Sequence, residues 1–276
     1  MTPDCLEITR GDTPLILSLP HTGTDIPPDI LPRLTSPWLA RKDADWWIEK
    51  LYDFATSLGA TTIRTKLSRT VIDVNRDPSG QSLYPGQTTT GLCPTETFDG
   101  EPLYLQGQEP DETEITTRRE KYFTPYHQTL EAEIQRLRAR FPRVVLYDCH
   151  SIRSTVSRLF DGLLPNFNIG TNSGTSCTSA ITTLVEQLTD ASSFTRITNG
   201  RFKGGWITRH YGQPQNGIHA LQMELACRGY LQEPQATFTQ QNWPAPYNPA
   251  FAEPLRTILI SILSALRDWA QTKDKQ

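Results

Sequence analysis

Residues 14–20, PLILSLP, and residues 144–150, VVLYDCH, decide the fold. Both are short apolar runs rich in branched side chains, and a histidine follows each: His21 after the first, His150 at the end of the second. Such runs, stopped by proline or by polar residues, read as buried strands over residues 14–20 and 144–147. Between them, residues 45–58 place Trp46, Trp47, Ile48, Leu51, Phe54, Ala55 and Leu58 at helical spacing, with Gly59 as a C-terminal stop. Residues 60–64 and 71–74 read as two further strands around a polar turn. Residues 79–107 are rich in Gly, Pro and Thr and form a long loop, of the kind that is usually functional in a compact enzyme. Residues 111–141 predict an amphipathic helix open to interruption at Pro125, and residues 179–188 a second helix. Residues 218–225 read as a strand whose pattern also fits a helix. Residues 254–271 predict a terminal amphipathic helix. The alternation predicts an α/β fold with a mixed, largely parallel sheet flanked by helices on both faces. No repeat or linker divides it, so residues 1–276 are expected to form one domain.

Composition narrows the function. The chain has 276 residues and a net charge of −3, with no basic excess to attract nucleic acid. No apolar run looks long enough to span a bilayer. Residues 1–10 are polar and include Asp4 and Glu7, which argues against a signal peptide. Five scattered cysteines, none in a CxxC pair, predict neither a disulfide framework nor a zinc knuckle; a reducing cytoplasm is expected.

The chemistry concentrates in three places. In open α/β sheets ligands bind beyond the carboxyl ends of strands, where His21 and His150 stand. Imidazole is the commonest zinc ligand, and a catalytic zinc needs three protein ligands and an open position. Asp43 and Asp45 are carboxylate candidates for the third. Spacing alone leaves both histidines readable as ordinary hydrogen-bonded loop residues. The second concentration is SRTVIDVNR, residues 68–76, where Arg69, Asn75 and Arg76 offer forked donors suited to a carboxylate; ion pairs with Asp73 and Asp77 are the structural alternative. The third is GGWITRHYG, residues 204–212, whose glycines suggest a loop closed around a ligand near Arg209 and His210. Beyond it Glu224 is a lone carboxylate in the apolar run ALQMELA, either a general base or an exposed residue on a helix.

Taken together, these segments resemble the N-formylglutamate amidohydrolase family, over about residues 14–230. The resemblance rests on PLILSLPHTGTDIP, DADWW, SRTVIDVNRD, LYPGQTTTGLCPTETFDGEPLY, YDCHSIRS, LFDGLLPNFNIGT, NGRFKGGWITRHYG and HALQMELA. The family is similar, more distantly, to zinc carboxypeptidases, aspartoacylase and succinylglutamate desuccinylase, which implies a zinc-carboxypeptidase-like (phosphorylase/hydrolase-like) fold. The aspartoacylase-like Asp-x-Asn-Arg substrate segment matches Asp73, Asn75 and Arg76. Their late catalytic glutamate maps to Glu224. Their His-Glu-His metal site maps to His21 and His150, but Thr24 stands where the glutamate would be, and the resemblance favours Asp45 as third ligand. Trp47, where relatives often carry His, is a second departure, and Gln222 a third.

What the resemblance implies is hydrolysis of a small dianionic substrate, N-formyl-L-glutamate, in the last step of histidine degradation. One divalent metal, zinc before cobalt, iron or manganese, would be held by His21, Asp45 and His150. Glu224 would be the base, and Arg153 would steady the oxyanion. Arg69, Asn75, Arg76, Arg209 and His210 would hold substrate. The expected partners are that substrate and, in assembly, a second copy of the chain; no nucleic acid and no membrane are expected. The alternatives are hydrolysis of N-formylaspartate, N-formimidoylglutamate or N-succinylglutamate, and a non-catalytic acyl-amino-acid binder. The latter would have no need of His21, Asp45, His150 and Glu224 together. No GxSxG supports a serine hydrolase. A Cys149 nucleophile is opposed by strand alternation, which points it away from His150.

Overall fold

The structure, a computed structural model, describes residues 3–272; Met1 and Thr2 of the polar N-terminal segment lie outside them. In chain order the elements are β1 (Leu6–Thr9), β2 (Leu15–Leu19), α1 (Leu39–Lys42), α2 (Ile48–Leu51), β3 (Thr61–Thr65), α3 (Glu112–Arg118) and α4 (Thr124–Arg138). They continue with β4 (Val144–Ile152), β5 (Phe167–Gly170), α5 (Ser179–Asp190), β6 (Arg196–Thr198), α6 (Trp206–Tyr211), β7 (Ile218–Ala226) and α7 (Pro249–Gln271). The strands form one sheet in the order β1-β3-β2-β4-β7-β5-β6. Pairs β3–β2, β2–β4, β4–β7 and β5–β6 are parallel, while β1–β3 and β7–β5 are antiparallel. The sheet is thus mixed and largely parallel, as expected.

Side-chain alternation sorts the central strands onto two faces. Leu15, Leu17, Val145, Tyr147, Cys149, Leu221, Met223 and Leu225 share one apolar cluster with α2, α5 and α7. Ile16, Val144, Leu146 and Ala220 share another with α4 and α6. On this second face the rows change character partway along. Ile16 is followed by Ser18, Leu146 by Asp148 and His150, and Ala220 by Gln222 and Glu224. The site begins where this half of the core ends.

Several expected elements differ. The helix expected over residues 45–58 begins only at Ile48, because Trp47 takes a left-handed backbone, φ 64°, and after Leu51 it gives way at Tyr52 to a 3₁₀ turn at Asp53–Leu58. A bulky residue adopts that conformation only when its surroundings impose it. Here the Asp45 N–H donates to the His21 carbonyl at 2.9 Å and the Trp47 indole to the Ala245 carbonyl at 2.8 Å. Residues 71–74 form a turn and not a strand. Val71, Ile72 and Val74 are buried all the same, and the backbone is satisfied locally: the Arg118 guanidinium donates to the Val71 carbonyl and the Asp73 N–H to the Leu92 carbonyl. The helical stretch before β4 is not interrupted at Pro125, which sits in the first turn of α4; the irregularity is a π-helical turn at Arg119–Phe123 just before it. The strand expected over residues 144–147 runs on through His150 to Ile152, so His150 is a strand residue. Residues 206–211, expected as loop, form α6. Strands β1, β5 and β6 are short and stand outside the predicted elements. The last helix also overturns the expectation that no run could span a bilayer: by length and composition alone α7 is long and apolar enough. Its stripe Leu255, Leu259, Ile262, Leu263 and Leu266 nevertheless packs into the core.

Candidate active site

His21 follows β2 directly, Asp45 precedes Trp47, and His150 lies on β4. All three are buried, and their ligand atoms lie within 4.8 Å of one another. His150 Nδ1 is 3.1 Å from both His21 Nδ1 and Asp45 Oδ2, and His21 Nδ1 is 3.7 Å from Asp45 Oδ2. Ligand atoms held tetrahedrally around zinc at its usual bond lengths stand roughly 3.3 Å apart, so the triangle has the right size. The outer nitrogens are also engaged. His21 Nε2 is 2.6 Å from Asp73 Oδ1, and His150 Nε2 is 2.9 Å from Asp148 Oδ2. The tautomers that satisfy these carboxylates protonate Nε2 and turn two Nδ1 lone pairs inward, beside a carboxylate oxygen. In that tautomer the two rings and the carboxylate present three acceptors to one centre, an arrangement that a divalent cation completes and that otherwise needs a ring proton shared with Asp45. The other Asp45 oxygen, Oδ1, is buried without a hydrogen-bond partner, with Arg69 Nη1 at 3.9 Å. The donor set therefore fits a divalent cation.

Asp43 does not join this set. It accepts from the Phe98 N–H at 2.6 Å and from Arg153 at 3.1 Å. Burial disfavours charge on Asp45, but the hydrogen bonds to His150 and His21 outweigh it and hold the carboxyl well below the usual range. Burial likewise opposes the charge on His150, and Asp148 and Asp45 override it, holding the imidazole well above its ordinary value.

Glu224 is the Cα partner of His150 in the parallel β4–β7 ladder, and Gln222 is the partner of Asp148. Neighbouring strands lie about 4.8 Å apart, so Glu224 stands beside the histidine by register alone. Its Oε2 accepts from the Gln222 side-chain amide at 3.0 Å, and Gln222 Oε1 accepts from the Gly205 N–H at 2.7 Å. Burial raises Glu224 to about 7, against the pull of positive His150. The reading of Glu224 as an exposed helical residue is excluded.

Arg69, Asn75 and Arg76 also reach the cleft, together with His21, His150 and Glu224. Arg69 is bound to Asp73 at 2.7 Å, whereas Arg76 stands 3.6 Å from the same carboxylate. The Asn75 amide donates to Asp148 Oδ2 at 3.1 Å and accepts from the Ile207 N–H at 2.8 Å. Gly205 is required there, since a Cβ would fall 2.4 Å from Asn75 Nδ2.

Three expected residues lie elsewhere. Arg153, expected to steady an oxyanion, is clamped between Asp43 at 3.1 Å and Asp99 at 2.8 Å, outside the cleft. Arg209, expected on substrate, donates to the Gly204 carbonyl and stacks on Tyr84, 4.8 Å from the ring centre. His210 is exposed on α6 and stacks on Trp206 at 4.9 Å. Helix formation over residues 206–211 explains both: it carries these side chains off the cleft that a loop would have wrapped. Cys149 points into the opposite apolar cluster, and burial pushes its thiol up, which leaves no nucleophile.

The sequence profile of the N-formylglutamate amidohydrolase family matches residues 13–231. The chain belongs to that family. It is 42% identical over 271 residues to the N-formylglutamate deformylase of Pseudomonas aeruginosa, covering 98% of each chain. It is 41% identical over 265 residues to that of Pseudomonas putida, covering 96% of each. The solved N-formylglutamate amidohydrolase from Ralstonia eutropha JMP134 has the same architecture, with a TM-score of 0.79 at 23% identity over 98% of each chain.

Other residues in or beside the site of this family member escaped sequence reasoning. Asp148 and Gln222 each stand two positions before a predicted site residue, and strand alternation alone places them on its face. Arg201 and Tyr84 also line the cleft, from loops that gave no periodic signal.

Proposed function

We infer that this amidohydrolase removes the formyl group from N-formyl-L-glutamate, releasing L-glutamate and formate, with one divalent cation. The two Pseudomonas relatives carry that activity in their names, which supports the substrate. The observation that carries the metal reading is the ring of inward acceptors: His21 Nδ1, His150 Nδ1 and Asp45 Oδ2. Zinc suits such nitrogen and carboxylate donors, and cobalt, iron or manganese are further options. Bound there, the cation would polarise the formyl oxygen and acidify a water for attack.

The chain's own residues do the rest. Asp73 and Asp148 fix the tautomers and ring orientations of His21 and His150. Glu224 takes the proton of the attacking water and returns it to the amide nitrogen as the C–N bond breaks. A carboxyl poised near neutrality suits both transfers. Gln222 holds one oxygen of Glu224 and so aims the other. Arg69 is committed to Asp73, but Arg76 is held more loosely and, with Asn75 beside it, takes the α-carboxylate. All of these residues hang on one sheet and its adjoining loops, which supports reading residues 1–276 as one domain. The proposed place of the reaction is the last step of histidine degradation.

The test is to strip the protein with chelator, restore zinc or cobalt, and follow glutamate release from N-formyl-L-glutamate. Activity should vanish and return. Folded protein that releases no glutamate with any of these metals overturns the reading.

A further inference from the structure

One cleft arginine has no part in the scheme above. Arg201 sits in the loop between β6 and α6. Its Nε donates to the Leu159 carbonyl at 2.8 Å and its Nη2 to the Thr88 carbonyl at 2.9 Å. Its guanidinium carbon lies 5.4 Å from the ring centres of both Tyr84 and Phe202. These contacts fix the plane of the fork and leave Nη1 without a hydrogen-bond partner among the described residues. Arg201 differs in this from Arg69 and Arg76, each of which faces the Asp73 carboxylate. Burial disfavours its charge most; Tyr84 and Glu224 favour it and Arg76 opposes it, and the net shift of its pKa is downward. A half-buried, oriented cation thus lines the cleft without a carboxylate of its own.

We propose that Arg201 reads the distal carboxylate of the substrate and so makes this cleft select an N-formyl dicarboxylic amino acid over its neutral amide. The inference rests on the deformylase reading above. The α-carboxylate is borne by the carbon next to the amide nitrogen and must stay near the reacting bond. Arg76 is suited to it, since Asp73, its carboxylate neighbour, also holds His21. The side-chain carboxylate lies two methylenes further out. Arg201 meets that end, because its partners Leu159, Thr88, Tyr84 and Phe202 all belong to the loops lining the cleft and none to the His21–Asp45–His150 group. A guanidinium already held at Nε and Nη2 loses little freedom in binding an anion at its remaining edge.

The competing role is a staple between loops, and a pair of isosteric substrates separates the two. The zinc-loaded enzyme is assayed with N-formyl-L-glutamate and with N-formyl-L-glutamine, which differ only in the charge of the distal group. The wild type should favour the glutamate compound at least about tenfold in kcat/KM. Arg201→Gln should lower kcat/KM for the glutamate compound about a hundredfold, mainly through KM, and for the glutamine compound less than about threefold. A staple would lower both alike and leave the ratio unchanged, which overturns the proposal. Equal use of the two substrates by the wild type also overturns it, and needs no variant to fold. Failure of the wild type on both substrates sinks the deformylase reading and this inference with it.

Discussion

The two ends of the cleft are built on different principles. At the floor, the ends of β2, β4 and β7 carry His21, His150 and Glu224, and each histidine is pinned by a carboxylate: His21 by Asp73 at 2.6 Å, His150 by Asp148 at 2.9 Å. At the mouth, loops carry the polar groups, and the arginines make their direct hydrogen bonds to neutral atoms, with the Asp73 carboxylate 3.6 Å from Arg76 and no carboxylate paired with Arg201 among the described residues. Arg76 donates to the Thr90 carbonyl and hydroxyl, Arg201 to the Leu159 and Thr88 carbonyls. Charge satisfied within the protein gives rigidity. Charge held in place but not neutralised gives affinity for an anion from outside. The floor is therefore suited to fixed chemistry and the mouth to selection.

The sharpest way to break this contrast is at the floor. Asp45→Asn removes the one charged ligand and should abolish both bound metal and turnover, read together by metal analysis and glutamate release. Retained metal with retained turnover would remove Asp45 from the ligand set. Glu224→Gln should keep the metal while lowering kcat about a hundredfold to ten-thousandfold. In the wild type, kcat/KM should rise with pH as Glu224 ionises, with a midpoint at or below about 7, since a bound cation pulls that carboxyl down. The same substitution should stabilise the chelated protein. Folded Glu224 titrates near 7 against 4.5 for the free side chain, so between those values the native state holds a proton that the unfolded chain releases. Stability is then lost as pH rises through that window. Glu224→Gln should melt higher than wild type at pH values above 7, and the gap should close by about pH 4. A lower melting temperature at high pH contradicts a buried, proton-hungry Glu224.

Asp73→Asn tests the pinning itself. It should weaken metal affinity about tenfold to a hundredfold, measured by competition with a chromophoric chelator. An unchanged affinity would mean that His21 needs no carboxylate to orient it. The smallest effect is expected where the sequence suggested a contact and the structure places none. His210→Ala should change kcat/KM less than about twofold.

The same contrast explains what was legible in the sequence. The floor was largely readable, because a buried apolar run announces a strand and the polar residue that ends it announces a site. His21, His150, Glu224 and the choice of Asp45 follow from this logic and from family resemblance. The presence of Asp148 and Gln222 on the site face is recoverable by counting in twos, although the apolar run that announces β4 stops at Tyr147. The mouth was not readable. Arg201 and Tyr84 sit in loops where no period exists, and their positions depend on hydrogen bonds to carbonyls far away in sequence. Arg209 and His210 failed for the opposite reason: their glycine-flanked context suggested a loop, while a short helix turned them outward. Arg153 failed because no pattern could announce its partners Asp43 and Asp99. The break at Trp47 is invisible to periodicity, which sees only apolar spacing and not the backbone twist beside Asp45.

The pairing of His150 with Glu224 across β4 and β7 has a further consequence. Because alternate residues face opposite sides, a slip of β4 by one position would hide Asp148 and His150 in the greasy layer and turn Tyr147 and Cys149 toward the cleft. Helix content and compactness would barely register the error. Turnover would be lost altogether. The specific activity of a refolded sample, divided by that of the native enzyme, therefore counts the molecules that zipped up correctly, and catalysis becomes the proofreading assay for the fold.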